Sequence, residues 1–182
     1  MIIINKTIVV NLIASPSSGK STLMADVFAK LKWKGIDCEL VTEFAKDLVW
    51  EERTETFKDE LYIFAKQNHR LFRVNGKVDV IITDRPLILT VLYNNRYGTK
   101  LRELNDLVVN EFNSYHNLNY FISRKKKYNP NGRNQTEQES DEIATDIKTI
   151  LNTYNIPYTK VDGVPSTADI IVNDILIGLK NK

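Results

Sequence analysis

The residues with the clearest chemical potential are Ala14-Ser-Pro-Ser-Ser-Gly-Lys-Ser-Thr22, which follow an apolar run and precede a helical pattern. Their spacing matches G-x-x-x-x-G-K-[ST], except that Ala14 stands at the first glycine. Backbone N–H groups of such a loop surround phosphate oxygens, and the helix N-terminus adds positive potential. Lys20 would place its charge on the β- and γ-phosphates, and the Ser21 hydroxyl would complete a Mg²⁺ shell. The expected phosphate-binding residues are Ser15, Ser17, Ser18, Gly19, Lys20, Ser21 and Thr22.

A carboxylate closes a third apolar strand at Thr83-Asp84-Arg85-Pro86. An Asp at this place, beside a phosphate loop, suits the second metal-organising group, so Asp84 and Ser21 form the predicted Mg²⁺ site. The alternative role for Asp84 is the N-cap of a helical segment from Leu87, and both roles can hold together.

Glu43 follows another short strand, Cys38-Glu-Leu-Val-Thr42. Open α/β sheets bind ligands at the carboxyl ends of their strands, so Glu43 is expected to face the same crevice as Lys20. There it would accept a proton from an acceptor hydroxyl or orient that hydroxyl. The alternative is a capping or ion-paired glutamate.

A basic segment, Arg124 to Arg133, follows a fourth strand and carries five positive charges in ten residues. Such a loop can close over a bound nucleotide and neutralise charge on a transferring phosphoryl group. Arg124 and Arg133 are the expected phosphate contacts because a guanidinium binds bidentately. Lys125–Lys127 would only add positive electrostatic potential, or would contact a nucleic-acid backbone. A solvated basic loop is the alternative.

Strand and helix patterns alternate along the chain and must bring these residues together. Apolar runs predict strands at 7–13, 38–42, 78–83, 119–123 and 157–161. Helical spacing predicts helices at 20–32, 44–52, 55–74, 101–116 and 137–154, with a last helix after Pro165. Repeated strand–helix units imply an α/β fold, a doubly wound five-stranded parallel sheet. One domain over residues 1–182 is expected, with a lid at about 124–135.

Composition excludes several classes of protein. Among 182 residues, 25 Lys and Arg balance 23 Asp and Glu, which is unlike a bulk nucleic-acid coater. Cys38 is the only cysteine, so neither an internal disulfide nor a four-thiolate zinc site is possible. No run approaches the ~20 apolar residues of a membrane span, and a cytoplasmic location is expected.

Two other phosphate-loop classes fit the pattern less well. Thr159-Lys-Val-Asp162 resembles a guanine-reading motif, but Asp84 lacks the glycine three residues later that a GTPase switch needs. A helicase or an AAA-type motor would need a longer chain and an acidic pair, whereas Arg85 follows Asp84. A small-molecule kinase needs only the loop, a carboxylate and a cationic lid.

Four segments form one set: the phosphate loop, Thr42-Glu-Phe-Ala-Lys-Asp47, Thr83-Asp-Arg-Pro86 and Tyr128…Gly132-Arg-Asn-Gln-Thr-Glu137. Together they resemble the P-loop kinases related to ribosylnicotinamide kinase. Many phage-encoded nucleotide kinases and AAA-like ATPases belong to that group, which would place the chain in a host cytoplasm. The resemblance implies a nucleoside monophosphate kinase-like fold and ATP·Mg²⁺-dependent phosphorylation of a nucleoside-like acceptor, with a homodimer as one possible assembly.

The chain also resembles deoxynucleoside kinases in its carboxylate and acidic–Arg positions. That likeness implies that Glu43 is the base, that Arg85 clamps the acceptor or its phosphate, and that Gln67 reads the acceptor base. A solvent-facing Gln67 is the alternative. Trp50, with Tyr62 and Phe64, would offer a stacking surface or else belong to the core. Lys66, Arg70 and Arg73 share one helix face, which is either solvated or holds a phosphorylated or polymeric substrate.

Three functions remain open at this point. The first is a kinase for a free nucleoside or nucleoside monophosphate. The second is a kinase for the hydroxymethyl group of modified pyrimidines, of the 5-hydroxymethyluridine type, in phage DNA. The third is a nucleotide-binding regulatory ATPase that has no transferable acceptor.

Overall fold

The computed structural model describes residues 7–129 and 136–180, and it has the expected five-stranded, all-parallel sheet. The strand order is β2-β3-β1-β4-β5. All five strands lie where the apolar runs predict them, within a few residues. They are β1 Ile8–Ile13, β2 Cys38–Val41, β3 Val80–Thr83, β4 His116–Ser123 and β5 Thr159–Asp162.

The register brings the chemically active segments to one end of the sheet, where the C-terminal ends of the strands lie. Ile13, the last residue of β1, pairs with Phe121 near the end of β4, and Val41 at the end of β2 pairs with Thr83 at the end of β3. Because all strands are parallel, the segments that follow them emerge on the same side. Four features therefore meet at the C-terminal end of the strands: the phosphate loop, Glu43, Asp84 and Arg124.

Helices cover both faces of the sheet. Val10 and Leu12 of β1 pack in one cluster with α1 (Lys20–Trp33) and α7 (Thr167–Lys180). Val9 and Ile13, on the opposite face, pack in a second cluster that includes residues of the remaining long helices. Those helices are α3 Glu60–Phe72, α4 Leu89–Arg96, α5 Arg102–Ser114 and α6 Glu137–Thr153. The alternation along β1 is what a sheet buried on both faces requires.

The segment between β2 and β3 differs from the two predicted helices, 44–52 and 55–74. After α2 (Phe44–Trp50) a short 3₁₀ turn covers Thr54–Lys58, and α3 begins only at Glu60. Asp59 stops the 3₁₀ turn because its side chain accepts a hydrogen bond from Tyr62 N and caps α3. On α3, Leu61 and Phe72 are exposed, whereas Glu60, Ile63, Phe64, Gln67 and Leu71 are buried.

Two other helices begin at or close to the positions that the sequence indicates. α4 begins two residues after Leu87, where the sequence offered a helical segment, and five of its eight residues are buried. α6 begins at the capping box of Thr136 and Glu139, in which each side chain bonds the other residue's backbone N–H. Among the helices within residues 7–129 and 136–180, none has the length and apolar character of a membrane span.

Candidate active site

The phosphate loop joins β1 to α1 and has the backbone conformation that such a cradle needs. Gly19, just before α1, adopts φ +89°, a left-handed conformation that glycine reaches without steric cost. The Lys20 ammonium folds back over the loop and donates to the carbonyl oxygens of Ala14 at 2.8 Å and Ser15 at 3.1 Å. Ala14 at the first glycine position is accommodated, since its methyl group is buried in the core.

Ser21 and Asp84 lie together at the mouth of this loop. Ser21 Oγ donates a 2.8 Å hydrogen bond to Asp84 Oδ2. Asp84 is 6% exposed, and its other oxygen, Oδ1, is buried with no hydrogen-bond partner among the described residues. The helix-cap alternative is wrong, since α4 begins at Leu89 with Ile88 as its N-cap.

The donor set fits magnesium held jointly with a nucleotide. A hydroxyl and a carboxylate are hard oxygen ligands, and Mg²⁺ commonly takes one or two protein ligands with phosphates and waters. Within the described residues no group of three or more His, Cys, Asp or Glu is arranged to hold a metal. The protein therefore offers two oxygens rather than a complete cage, and the unpartnered Asp84 Oδ1 gives a bound cation or its water a group to contact.

A second cluster forms around Arg85, the residue after Asp84. Arg85 is only 3% exposed, and its Nε lies 3.7 Å from Glu43 Oε1. Its Nη2 lies 3.9 Å from Glu60 Oε2, and its Cζ lies 4.1 Å from the centre of the Tyr93 ring. These distances describe ion pairs and cation–π contact rather than close hydrogen bonds.

Two polar atoms of this cluster have unmet hydrogen-bonding capacity. Glu60 Oε2 and Arg85 Nη1 are both buried and have no hydrogen-bond partner within the part of the chain that the structure describes. Burial raises the pKa of Glu60 to about 7, although Arg85 opposes this by stabilising the carboxylate. Burial likewise raises the pKa of Tyr93 to about 12, so its phenol stays protonated. Unmet polar groups of this kind, beside the half-exposed Glu43, suit a polar ligand or an ordered water.

Glu43 itself is held in place by Gln67. Gln67 Oε1 accepts a 2.8 Å bond from Phe44 N, and Gln67 Nε2 donates at 3.3 Å to Thr42 O. The amide thus binds the backbone on both sides of Glu43 and caps α2, for which Glu43 provides no side-chain cap. Gln67 is 2% exposed, so the solvent-facing alternative is wrong.

The other predicted acceptor residues lie further from the cluster. Arg70 donates from Nη1 to Thr42 O at 3.2 Å and forms an ion pair with Asp47, while its guanidinium lies 5.2 Å from the Phe44 ring centre. Trp50 is 75% exposed at the end of α2 and is not brought into the cluster. Phe64 belongs to the core, as its alternative predicted.

The basic segment approaches the phosphate loop at two points. Asn129 N donates to Ser17 Oγ at 2.9 Å. The side-chain end of Lys126 lies 3.9 Å from the position that a Cβ on Gly19 would occupy. Arg124, by contrast, pairs with Glu137 and Asp141 of α6 and lies 5.4 Å from the Tyr128 ring centre. Arg133 lies outside the described residues.

Sequence reasoning missed the residues that support the phosphate loop from behind. Ser140 of α6 is fully buried, and its hydroxyl lies within hydrogen-bond distance of Pro16 O, at 2.9 Å, and of Ser15 Oγ, at 3.1 Å. Gly163, just after β5, leaves no room for a side chain, since a Cβ there would lie 2.6 Å from Ser18 O. Glu60 and Tyr93 were also missed, since no motif marks either residue. Only the glycine directly after β5 could have been noticed in the sequence.

This arrangement, a parallel sheet with a phosphate loop after its first strand and Asp84 after the adjacent β3, defines a P-loop protein. The family model described as an AAA domain matches residues 9–166. The chain therefore belongs to this AAA-domain family. No protein among those with curated functions matches the sequence significantly.

Solved structures share the fold. Deoxyadenosine kinase from M. mycoides, solved with dCMP and a flexible dCDP bound, aligns with a TM-score of 0.56 at 17% identity and covers 93% of this chain and 99% of its own. The NadR protein in complex with NR aligns with a TM-score of 0.62 at 15% identity over 92% of this chain. The chain spans about half of NadR, 51% of its length. These likenesses confirm the expected α/β P-loop kinase fold.

Proposed function

We propose that this chain transfers the γ-phosphoryl group of ATP to a hydroxyl of a nucleoside or nucleoside monophosphate. The observation that carries the proposal is the placement of two pairs at one sheet edge. Ser21 and Asp84 form the metal-and-phosphate side, and Glu43 with Arg85 forms the acceptor side directly next to it.

In the proposed reaction the acceptor oxygen attacks the γ-phosphorus in line, and the bond from the γ-phosphorus to the β–γ bridging oxygen breaks. Glu43 accepts the proton that the acceptor hydroxyl loses, and ADP leaves with the bridging oxygen. Lys20 moves from the Ala14 and Ser15 carbonyl oxygens to the phosphate oxygens. A bound Mg²⁺ would neutralise phosphate charge, with Ser21 and Asp84 holding it.

Arg85 and Glu60 are proposed to fix the acceptor. The unpartnered Arg85 Nη1 can donate a hydrogen bond to an acceptor oxygen, and the unpartnered Glu60 Oε2 can accept one from a hydroxyl group. A sugar that carries several hydroxyl groups satisfies both atoms at once. The deoxyadenosine kinase structure holds dCMP as a product, and dCMP carries such a sugar. This supports a nucleoside-like acceptor for the present chain.

We also propose that residues 1–182 act as one kinase domain in which residues 124–135 serve as the lid. Lys126 and Asn129 already contact the region of Ser17 and Gly19, which supports a role at the phosphates. Arg124 would hold the base of this segment to α6 through Glu137 and Asp141. The phosphate role predicted for Arg124 would require it to leave that pairing.

The test is transfer of label from γ-labelled ATP with Mg²⁺ to two sets of acceptors. One set is pooled nucleosides and nucleoside monophosphates, including nicotinamide riboside; the other is duplex DNA with and without hydroxymethylpyrimidines. Labelled free nucleoside or nucleotide is the expected result. Label confined to modified DNA would replace the proposal with the modified-pyrimidine alternative. Phosphate release without any labelled acceptor would favour the regulatory ATPase, which membership of an AAA-domain family supports.

Two variants assign the activity to this site. Lys20→Ala should abolish transfer while the circular dichroism spectrum and melting temperature stay near those of the wild type. Glu43→Gln should reduce transfer at least about 100-fold, since general-base contributions are typically about 10²–10⁴-fold. Glu39→Gln is the matched control, because Glu39 is an exposed glutamate on β2, the strand that precedes Glu43. Unchanged transfer by Glu43→Gln would exclude Glu43 as the base.

A further inference from the structure

A cavity outside the catalytic cluster opens along the edge of the sheet. It has a volume of about 490 Å³ and lies between the end of β2, the edge strand, and α3. Phe44 and Thr42 line one wall, and Lys66, His69, Arg70 and Arg73 line the other. We call this cavity the β2–α3 groove.

The groove carries a concentrated positive charge on a nearly neutral protein. Residues 61–73 contain no Asp or Glu, although the whole chain has a net charge of only +2. Asp47 is the one acidic residue of the lining, and Arg70 pairs with it. Among the residues that the structure describes, Lys66 contacts the Tyr62 ring at 5.5 Å, and neither Lys66 nor Arg73 has an acidic side chain within ion-pair distance. Two full positive charges are therefore available to a ligand.

The positive charges extend over more than the size of one phosphate group. Lys66 and Arg73 are seven residues apart on α3, about 10 Å along its axis. A single phosphate would leave one end of this row unpaired, whereas successive phosphates of an oligonucleotide backbone would meet both ends. We propose that the β2–α3 groove binds the phosphodiester backbone of a single-stranded oligonucleotide.

An acidic peptide is a poorer occupant. A peptide that extended the sheet at β2 would need backbone groups near the end of that strand. Thr42 O, at that end, already accepts hydrogen bonds from Arg70 Nη1 and Gln67 Nε2. The cations of α3 remain exposed, and contacts of this kind to phosphate oxygens need no strand pairing.

The groove also leads toward the proposed acceptor site, because Thr42 and Phe44 flank Glu43 on either side. An oligonucleotide backbone in the groove would run past the carboxylate that is proposed to face the acceptor. Binding in the groove does not require phosphoryl transfer, so the inference stands or falls independently of the proposed function.

The test measures binding of a fluorescent single-stranded oligonucleotide to the full chain by anisotropy, without ATP, over a range of salt concentrations. Lys66→Gln with Arg73→Gln should weaken binding and reduce the slope of log K against log salt by about 1.4, since each single-strand phosphate contact contributes about 0.7. The charge-conserving pair Lys66→Arg with Arg73→Lys should keep the affinity and the salt slope of the wild type. The control pair Lys34→Gln with Lys180→Gln removes equal charge near α1 and α7, on the other face of the sheet.

Three results would overturn the proposal. An equal loss of affinity in the control pair would mean that only net charge matters. Displacement of the oligonucleotide by dCMP at similar concentration would assign the groove to a mononucleotide. Displacement by poly-glutamate with the same salt slope would assign it to acidic protein. ATP binding, measured with a fluorescent ATP analogue, should be unchanged in both pairs and shows that each variant is folded.

Discussion

Ser21 and Asp84 are 63 residues apart in the chain, yet a 2.8 Å hydrogen bond joins Ser21 Oγ to Asp84 Oδ2. The contact links the first turn of α1 to the end of β3, which are neighbours because β3 pairs with β1. Asp84 therefore lies beside the phosphate loop before any nucleotide arrives. Under the proposed function, a carboxylate preset in this way would organise a metal without rearrangement.

The first prediction concerns this pair. Asp84→Asn should lower Mg²⁺-dependent transfer at least about 100-fold, because an amide is a much weaker ligand for a hard cation. Nucleotide binding without metal should change little, which isothermal titration of ATP with and without Mg²⁺ would measure. Ser21→Thr keeps the hydroxyl and serves as the control, whereas Ser21→Ala should resemble Asp84→Asn. Equal ATP affinity and turnover in Asp84→Asn would exclude the metal site.

The second prediction concerns Gln67. Gln67→Leu leaves Phe44 N and Thr42 O without the amide partner, and the free energy of unfolding should fall by about 1–3 kcal/mol in urea denaturation. The kcat of transfer should fall as well, because Glu43 loses its support on both sides. The exposed Gln138 provides the control substitution, Gln138→Leu. If Gln67 instead reads the acceptor base, the variant would change selectivity among bases without loss of stability.

These two cases indicate how far sequence reasoning reaches. The phosphate loop, Asp84 and the five strands were predictable, because a local motif and buried apolar runs define them. The role of Gln67 was not, since it depends on backbone groups 23 and 25 residues away. Glu60 was missed because its burial follows from the end of the 3₁₀ turn at Asp59, which no periodic pattern marks.

A third prediction tests the support behind the phosphate loop. Gly163→Ala would place a methyl group 2.6 Å from Ser18 O, so the backbone of the loop must shift. We expect the KM for ATP to rise and the stability to fall by about 1–3 kcal/mol, as in other overpacked sites. Gly178→Ala is the control, because there the methyl group meets only the flexible end of Ile8. A normal KM in Gly163→Ala would show that the loop tolerates the shift.

The fourth prediction distinguishes the lysines of the basic segment. Lys126 reaches the phosphate loop beside Gly19, whereas no such approach is seen for its exposed neighbour Lys127. Lys126→Gln should reduce kcat/KM for ATP by about tenfold or more, the equivalent of one charge-assisted hydrogen bond of about 1.5–3 kcal/mol. Lys127→Gln should have a much smaller effect. Steady-state kinetics at two salt concentrations would separate a direct contact from long-range electrostatic attraction. Equal, salt-sensitive losses of kcat/KM in both variants would indicate long-range attraction alone.

The last prediction concerns the pH dependence of stability and follows from Glu60. Burial raises its pKa from 4.5 to about 7, so between these values the folded protein binds more protons at Glu60 than the unfolded chain does. The free energy of unfolding contributed by this group must then fall as the pH rises through that window, by up to about 3 kcal/mol. Below pH 4.5 the penalty is absent, and above about 7 it is complete.

Glu60→Gln should remove this slope, whatever its effect on absolute stability, because glutamine does not titrate. Urea denaturation of both proteins at several pH values from 5 to 8 measures the difference. Glu55→Gln serves as the control, since Glu55 is exposed on the preceding 3₁₀ turn and pairs only with exposed Lys58. A wild-type slope retained in Glu60→Gln would mean that Glu60 is ionised throughout, held by Arg85, and that the acceptor site contains a permanently charged pair.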